Sequence, residues 1–403
     1  MESPDPPDRP RSRSLAGLNR NVFLIALTSL FADISSEMAY PILPLFLSET
    51  LKAPATVVGL VEGVAEAIQY GVQGIAGRVS DRLPRKKPVA VAGYALAAIG
   101  KPIIGLATGW PVALAGRATD RLGAGSRTAP RDAMIAASVG EDARGRAFGL
   151  EGIGDNAGAF LGPLLALLLV AGLDAGYRLV FFLAFLPGLV AFGLILAVRE
   201  PRLASAPAPV AAPVRGAPLS PDYRRYLFVT ALFGIGNSTN AFLILRLKDA
   251  GASFAQTLLV YASFNLVAAL ASYPAGAIAD RRGRKPVLLA SLAVFAGVYV
   301  GFAAGATVWL LVPLFAGYGV YQGAYRAVGK AIATDLVPAH LRATGIGWYA
   351  ATVGLTGLAA SILGGWLWSA VDPAATFAYG AACALAAGVA LAILVREPRP
   401  AAP

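Results

Sequence analysis

A short basic segment occurs twice in this chain, about 199 positions apart, and each copy lies between two long apolar runs. The first copy is at 77–88, GRVSDRLPRKKP, and the second is at 276–286, GAIADRRGRKP. A second landmark, VREPR, repeats at 198–202 and 395–399. A basic turn between apolar helices, repeated half a chain later, indicates a duplicated membrane protein.

The apolar runs are long enough to cross a bilayer. Hydrophobic residues make up 57% of the 403 residues and charged residues 14%, whereas soluble proteins carry about 25% charged residues. A helix needs about 20 apolar residues to cross the hydrocarbon layer. Twelve segments meet this length: 21–47, 57–79, 88–108, 111–139, 146–172, 177–198, 226–247, 255–278, 286–305, 308–336, 344–367 and 374–395.

The basic residues predict the orientation. If the N-terminus is cytoplasmic and the segments alternate, the cytoplasmic parts hold 23 of the 34 Lys and Arg residues and the outer loops hold four. This positive-inside bias predicts that both termini are cytoplasmic, in the plasma (inner) membrane. It also accounts for the net charge of +11 without a nucleic-acid partner. No cleavable signal is expected before Val22, so the first span would direct insertion.

The spans divide into two halves of six. We predict a cytoplasmic tail at 1–20, a first bundle at 21–198, a Pro-rich cytoplasmic linker at 199–225, a second bundle at 226–395 and a tail at 396–403. Halves of equal orientation are related by an axis along the membrane normal. The predicted fold is an all-α membrane protein with twelve transmembrane helices in two pseudo-symmetric six-helix bundles.

These features resemble the major facilitator superfamily, specifically its bacterial-type members with twelve helices. Both basic segments are similar to the family signature G-x-x-x-D-[RK]-x-G-R-[RK]; the second matches throughout, and the first has Pro84 in place of Gly. Arg117 and Gly123 match a second signature, R-x-x-Q-G-x-G, in which Asp120 and Arg121 replace Gln and Gly. The resemblance implies a gating role for Gly77, Asp81, Arg82, Arg85, Gly276, Asp280, Arg281, Gly283 and Arg284.

Charged residues inside the predicted spans occur largely as like-charged pairs four positions apart. A charge near the bilayer centre costs about 2.5–3.5 kcal/mol on insertion scales, and residues i and i+4 share a helix face. Each pair therefore needs an opposite charge, a substrate or water in front of it. The pairs are Asp33/Glu37, Glu62/Glu66, Arg117/Arg121, Arg127/Arg131, Glu151/Asp155 and Arg326/Lys330.

The resemblance implies that the first, fourth, seventh and tenth spans line a central cavity. The charged residues on these spans favour a charged or zwitterionic substrate. At about 1.5 Å per residue, Asp33 and Arg127 would lie at similar depth near the middle. Asp33 or Glu37 would be the protonation switch, because apolar burial and a nearby Arg act oppositely on a carboxylate. The expected cavity residues are Asp33, Glu37, Arg127, Arg131, Asn237, Asn240, Tyr325, Arg326 and Lys330.

The alternative for each charged residue is a structural ion pair that holds spans in register. Both readings stay open for Glu62, Glu66, Arg117 and Asp120. The structural reading is favoured for Glu151, Asp155 and Arg144, because they are expected toward the cytoplasmic end.

One histidine, His340, cannot provide a Ser-His-Asp set or a metal cluster, so we expect no enzyme, cofactor or metal. We predict a secondary active transporter that works by alternating access and exports a small organic compound by proton antiport. Its partners would be the bilayer, this substrate and protons. The cations on the fourth and tenth spans leave open transport of an organic anion or anionic metal chelate. A non-transporting receptor or scaffold is a further alternative.

Overall fold

The computed structural model describes residues 18–82, 85–140, 143–200, 220–305, 307–338 and 342–395, with side chains except at 77–82, 327 and 342–344. The helices of the first half are α1 Arg20–Ala39, α2 Leu43–Leu45, α3 Ala55–Arg82, α4 Lys87–Gly105, α5 Trp110–Ser138, α6 Arg144–Leu167 and α7 Tyr177–Ala197. Those of the second half are α8 Pro221–Gly234, α9 Ala241–Asp249, α10 Phe254–Arg282, α11 Arg284–Ala304, α12 Val308–Asp335, α13 Arg342–Ala370 and α14 Pro373–Leu394. Five-residue π-helical turns, Phe46–Thr50 and Leu168–Gly172, extend α2 and α6. Most of the two predicted tails and the middle of the linker, 201–219, lie outside the described residues.

The linker was predicted to reach residue 225, and this boundary was wrong because α8 already begins at Pro221. Ser220 caps this helix, and its side chain accepts a hydrogen bond from the Tyr223 backbone N–H at 3.1 Å. Pro221 is suited to the first helical turn, where a backbone N–H has no helical partner. Arg224 and Arg225 are exposed, so a charged first turn was mistaken for loop.

Two spans are broken in the middle. In the second half α8 ends at Gly234 and α9 begins at Ala241, so the polar run 237–240 interrupts the predicted span 226–247. In the first half a turn at 40–42 separates α1 from α2, a break that we did not predict. Pro41 is its physical cause, because proline lacks the N–H that would continue the helix.

Eight helical segments of the described residues are long and apolar enough to cross a membrane. The predicted spans 57–79, 111–139, 226–247 and 308–336 are largely helical but fall short of this measure. The span 226–247 is divided by the break between Gly234 and Ala241. The other three spans carry charged or polar side chains. Helices that face a polar interior need not be apolar on every side.

The helices of each half pack mainly against helices of the same half. In the first half α1 packs on α6 and α7, and α4 packs on α5 and α7; in the second, α12 packs on α10 and α11. The halves meet along α3 and α13 and along α6 and α10. Small residues permit the close packing of α3 on α13. For example, a Cβ atom on Gly59 would lie 2.1 Å from the Ser361 carbonyl oxygen.

Gly59→Ala is therefore expected to destabilise the protein by about 1–3 kcal/mol, the usual cost of overpacking. Gly71→Ala is the matched control in the same helix, because its Cβ would meet nothing within 4 Å. We expect a lower melting temperature in detergent for Gly59→Ala and an unchanged or slightly higher one for Gly71→Ala. Equal stability of the two variants would contradict tight packing of α3 on α13.

Candidate functional site

Asp33 and Arg127 meet between α1 and α5. Arg127 Nη2 lies 3.7 Å from Asp33 Oδ1, and the guanidinium lies 4.5 Å from the centre of the Tyr94 ring. Asp155 of α6 is within hydrogen-bonding reach of Asp33. α6 approaches closely because a Cβ on Gly158 would lie 2.8 Å from Asp33 Cβ. The expected pair is thus brought together, while the positions of Tyr94 and Asp155 beside it were missed.

Arg131, one turn further along α5, is neutralised inside the first half. Its Nη1 lies 2.7 Å from Glu151 Oε1, and its Nη2 lies 3.0 Å from Asp132 Oδ1. Ser29 also donates to Glu151, at 2.8 Å. This arrangement supports a structural role for Glu151 and leaves Arg131 with carboxylate partners already in place.

A second charge network, referred to below as the Asp120 network, lies between α3, α4 and α5, and all its members except the half-buried Arg121 are buried. Asp120 contacts Lys101 Nζ at 2.7 Å, Arg121 Nη2 at 2.6 Å and Arg117 Nη1 at 3.1 Å. Arg117 Nη2 also binds Glu62 Oε2 at 2.8 Å. Lys101 was missed because it stands alone in an apolar run, without a like charge four positions away. Buried ions of this kind are stable only as a paired set.

Glu37 joins the two halves. Tyr261 of α10 donates its hydroxyl hydrogen to Glu37 Oε2 at 3.0 Å, and Asn265 Nδ2 lies 3.5 Å from the same oxygen. Asn265 also donates to the Ala159 carbonyl of α6, at 3.1 Å. Glu37 therefore belongs to a contact between the bundles, which the sequence did not indicate.

Further contacts close the end of the molecule opposite to the basic segments. Lys248 Nζ lies 3.0 Å from Glu49 Oε1, and Tyr177 donates to Glu49 Oε2 at 2.9 Å. Thr56 of α3 donates to the Gly365 carbonyl of α13 at 3.1 Å. Both the Lys248 and the Thr56 contacts join the first half to the second.

The amides in the break of the seventh span bind tyrosines of α12. Asn237 Nδ2 donates to the Tyr321 hydroxyl at 3.3 Å, and the Tyr318 hydroxyl donates to Asn240 Oδ1 at 2.7 Å. The Tyr325 ring packs on Phe233 with a centroid separation of 5.1 Å. These residues therefore hold α12 against the broken span.

Three charged residues differ from those above. Within the described part of the chain, Glu66 and Lys330 take part in no hydrogen bond or salt bridge. With the Gln322 side-chain amide turned so that its oxygen faces Arg326, Arg326 Nη2 lies 2.7 Å from that oxygen. Arg326 and Lys330 are exposed and Glu66 is half-buried. Glu66 and Glu37 interact electrostatically with Arg117 and Arg121 of the first half and also with Arg326 of the second, so Arg326 lies near carboxyl groups of the opposite bundle.

The gating motif is described mainly in its second copy. Gly283 has a φ of +92°, a conformation that favours glycine. Arg284 forms a salt bridge with Asp335 at the end of α12, while Asp280 and Arg281 are exposed and Gly276 is half-buried. In the first copy Arg85 is exposed, and the side chains of Gly77, Asp81 and Arg82 lie outside the described residues.

Comparison with known proteins gives consistent matches. A family model described as Major Facilitator Superfamily matches residues 25–245 and 226–403. An uncharacterized MFS-type transporter of Methanocaldococcus jannaschii is 32% identical over 381 residues, covering 93% of this chain and 94% of that protein. Multidrug resistance protein MdtH of Photorhabdus laumondii is 31% identical over 144 residues, covering 36% of this chain and 35% of that protein. The crystal structure of the nucleoside transporter NupG superposes with a TM-score of 0.77 at 14% identity, covering 94% of this chain and 100% of NupG.

Proposed function

Because the chain belongs to the Major Facilitator Superfamily and is an integral membrane transporter of that fold, we propose that it exports a small organic compound in exchange for protons. It would do so by alternating access, from the plasma membrane, with both termini in the cytoplasm. Export is favoured over import by the partial match to a multidrug resistance protein.

The observation that carries proton coupling is the group formed by Asp33, Asp155 and Arg127. Two carboxyl groups can hydrogen-bond to each other only when one of them holds a proton. The Asp33–Arg127 contact, at 3.7 Å, is longer than the contacts of 2.6–3.1 Å in the Asp120 network. Asp33 therefore has two alternatives. It can share a proton with Asp155, or it can lose that proton and form a closer contact with Arg127.

Glu37 links this proton site to the bundle contact. Opening the end opposite to the basic segments requires the Glu37–Tyr261 hydrogen bond between α1 and α10 to break. A change of charge on Glu37 changes the strength of that bond, since hydrogen bonds to ionised groups are roughly twice as strong as neutral ones. Protonation and opening are coupled in this way.

The second candidate function is transport of an organic anion or anionic metal chelate. It is favoured by Arg326 and Lys330, two exposed cations on α12. Such a transporter would move net negative charge, whereas proton antiport moves protons against the substrate.

Everted membrane vesicles that contain the protein distinguish these functions. With a pH gradient established, addition of a substrate from a panel of metabolites and drugs is expected to discharge the gradient, read by acridine orange fluorescence. Vesicles without the protein are the control. Anion-dependent changes in membrane potential without discharge would favour the second candidate. No substrate-dependent signal of either kind would contradict both and favour a receptor or scaffold.

A further inference from the structure

Three charged residues that form no salt bridge among the described residues lie on opposite bundles. Glu66 belongs to α3 of the first half, and Arg326 and Lys330 belong to α12 of the second half. Asp120 and Arg131, by contrast, are neutralised within the first half. Glu66 is half-buried, where a charge without an opposite charge is costly, and Arg326 and Lys330 are exposed, so this set can receive charged groups that arrive from outside the protein.

One tyrosine, Tyr70, lies near charges of both halves. Tyr70 is one turn beyond Glu66 on α3, and its hydroxyl interacts electrostatically with both Glu66 and Arg326. α13 holds Tyr70 in place, because a Cβ on Gly354 would lie 2.9 Å from Tyr70 Cβ. On the second half, Tyr349 stacks on Tyr226 with a centroid separation of 6.1 Å and an angle of 5°. Tyr70 and Tyr349 are both half-buried, so they combine fixed positions with accessible ring surface.

We propose that the substrate is a zwitterion whose ammonium group binds toward Glu66 and whose acidic group binds toward Arg326 and Lys330. This inference rests on the proposed transport function and names its substrate class. A simple cation would leave Arg326 and Lys330 unpaired and place a third positive charge beside them. A simple anion would leave Glu66 unpaired and add to its repulsion. Only a molecule with both charges satisfies both bundles.

The aromatic residues fit the same class. The face of a tyrosine ring attracts an ammonium group, and its hydroxyl can donate to a carboxylate. Lys330 is about 6 Å further along α12 than Arg326, toward the basic segments. It can therefore receive the acidic group first and pass it to Arg326.

Binding across the halves also gives the substrate a role in alternating access. A ligand shifts a conformational equilibrium only by binding one state better than another. Because the two ends of a zwitterion bind different bundles, it favours the state in which Glu66 and Arg326 are drawn together. A molecule that binds one bundle alone lacks this effect.

The test is calorimetric binding to the full-length protein purified in detergent, with two matched sets of probes. One set is phenylalanine, phenethylamine and 3-phenylpropionate; the other is 6-aminohexanoate, hexylamine and hexanoate. We expect at least one zwitterion to bind about tenfold or more tightly than both of its singly charged analogues, as in sites built for paired polar groups.

Two variants test which residues bind the two charged ends of the zwitterion. Glu66→Gln is expected to remove the advantage of the zwitterion over the matching acid, and Lys330→Gln its advantage over the matching amine. Lys52→Gln, at an exposed lysine in the loop before α3, is the control and should leave the dissociation constant unchanged. If Glu66→Gln does not fold, the order of affinities of the zwitterion, the amine and the acid for the wild-type protein still tests the inference.

The outcomes separate this inference from the proposed function. Acids that bind as tightly as the zwitterions, or zwitterion binding unaffected by both variants, would overturn the inference while leaving transport intact. Failure of every probe to bind would overturn it as well. Zwitterion binding with the expected variant pattern but without discharge of a pH gradient would uphold the inference and contradict proton-coupled export.

Discussion

Asp33→Asn is expected to abolish transport driven by a pH gradient and to leave exchange of substrate between compartments of equal pH intact. Asparagine keeps the size of the side chain but cannot bind and release a proton. In the wild-type protein the carboxyl group of residue 33 can contact either Asp155 or Arg127, depending on its protonation. The asparagine side chain does not titrate, so this choice is lost. Flux in proteoliposomes with and without a gradient measures both quantities.

Asp222→Asn is the control for this experiment, since it makes the same chemical change on the surface. Asp222 lies in the first turn of α8 and pairs with Arg225 at 2.8 Å, with 41% of its side chain exposed. The Asp222→Asn variant should leave both the gradient-driven transport and the exchange at equal pH unchanged. Gradient-driven transport that persists in Asp33→Asn would remove Asp33 from the coupling mechanism, and loss of exchange as well would assign it to substrate binding instead.

Asp120→Asn is expected to lower the free energy of unfolding by about 3–5 kcal/mol, the usual cost of removing one partner from a buried ion pair. Its carboxylate contacts Lys101, Arg117 and Arg121, and the first two of these side chains are each 2% exposed. Without it the network has three cations and only Glu62 to balance them. The melting temperature of the purified protein measures the loss.

Two further variants make this prediction specific. Asp132→Asn is the matched control on the same helix, because that carboxylate is 43% exposed and contacts its neighbour Arg131; such pairs contribute about 0–1 kcal/mol. Adding Lys101→Met to Asp120→Asn removes one uncompensated cation and should recover part of the stability. Similar melting temperatures for Asp120→Asn and Asp132→Asn would show that the Asp120 network is not important for stability.

The helices were largely predictable because the signals for them are local. Length and apolar composition placed most helix ends within a few residues, and the break near 237–240 coincides with a run of four polar residues. The break at 40–42 had an equally local signal in Pro41, which was outweighed by the apolar residues around it. Lys101 had no such signal, since a lone lysine in an apolar run shows nothing of its partner.

The like-charged pairs illustrate the limit of pattern reasoning in the site. Arg117 and Arg121 form the same pattern as Arg326 and Lys330, yet the first pair binds Asp120 and the second lies exposed. Glu62 and Glu66 share a helix face, but only Glu62 is paired, with Arg117. A spacing of four identifies residues that need a partner and leaves the identity of that partner open.

The sequence by itself determined that this chain is a duplicated membrane protein with charged residues in its interior. Apolar length and repeated loops are properties of the chain in order, and they can be read without contacts. Only the tertiary structure decided which charges neutralise one another and which face the space between the bundles. That outcome depends on the packing of α3, α4, α5 and α12, whose members lie up to more than 200 residues apart along the chain, because an ion pair is set by distance in space and not by position in the sequence.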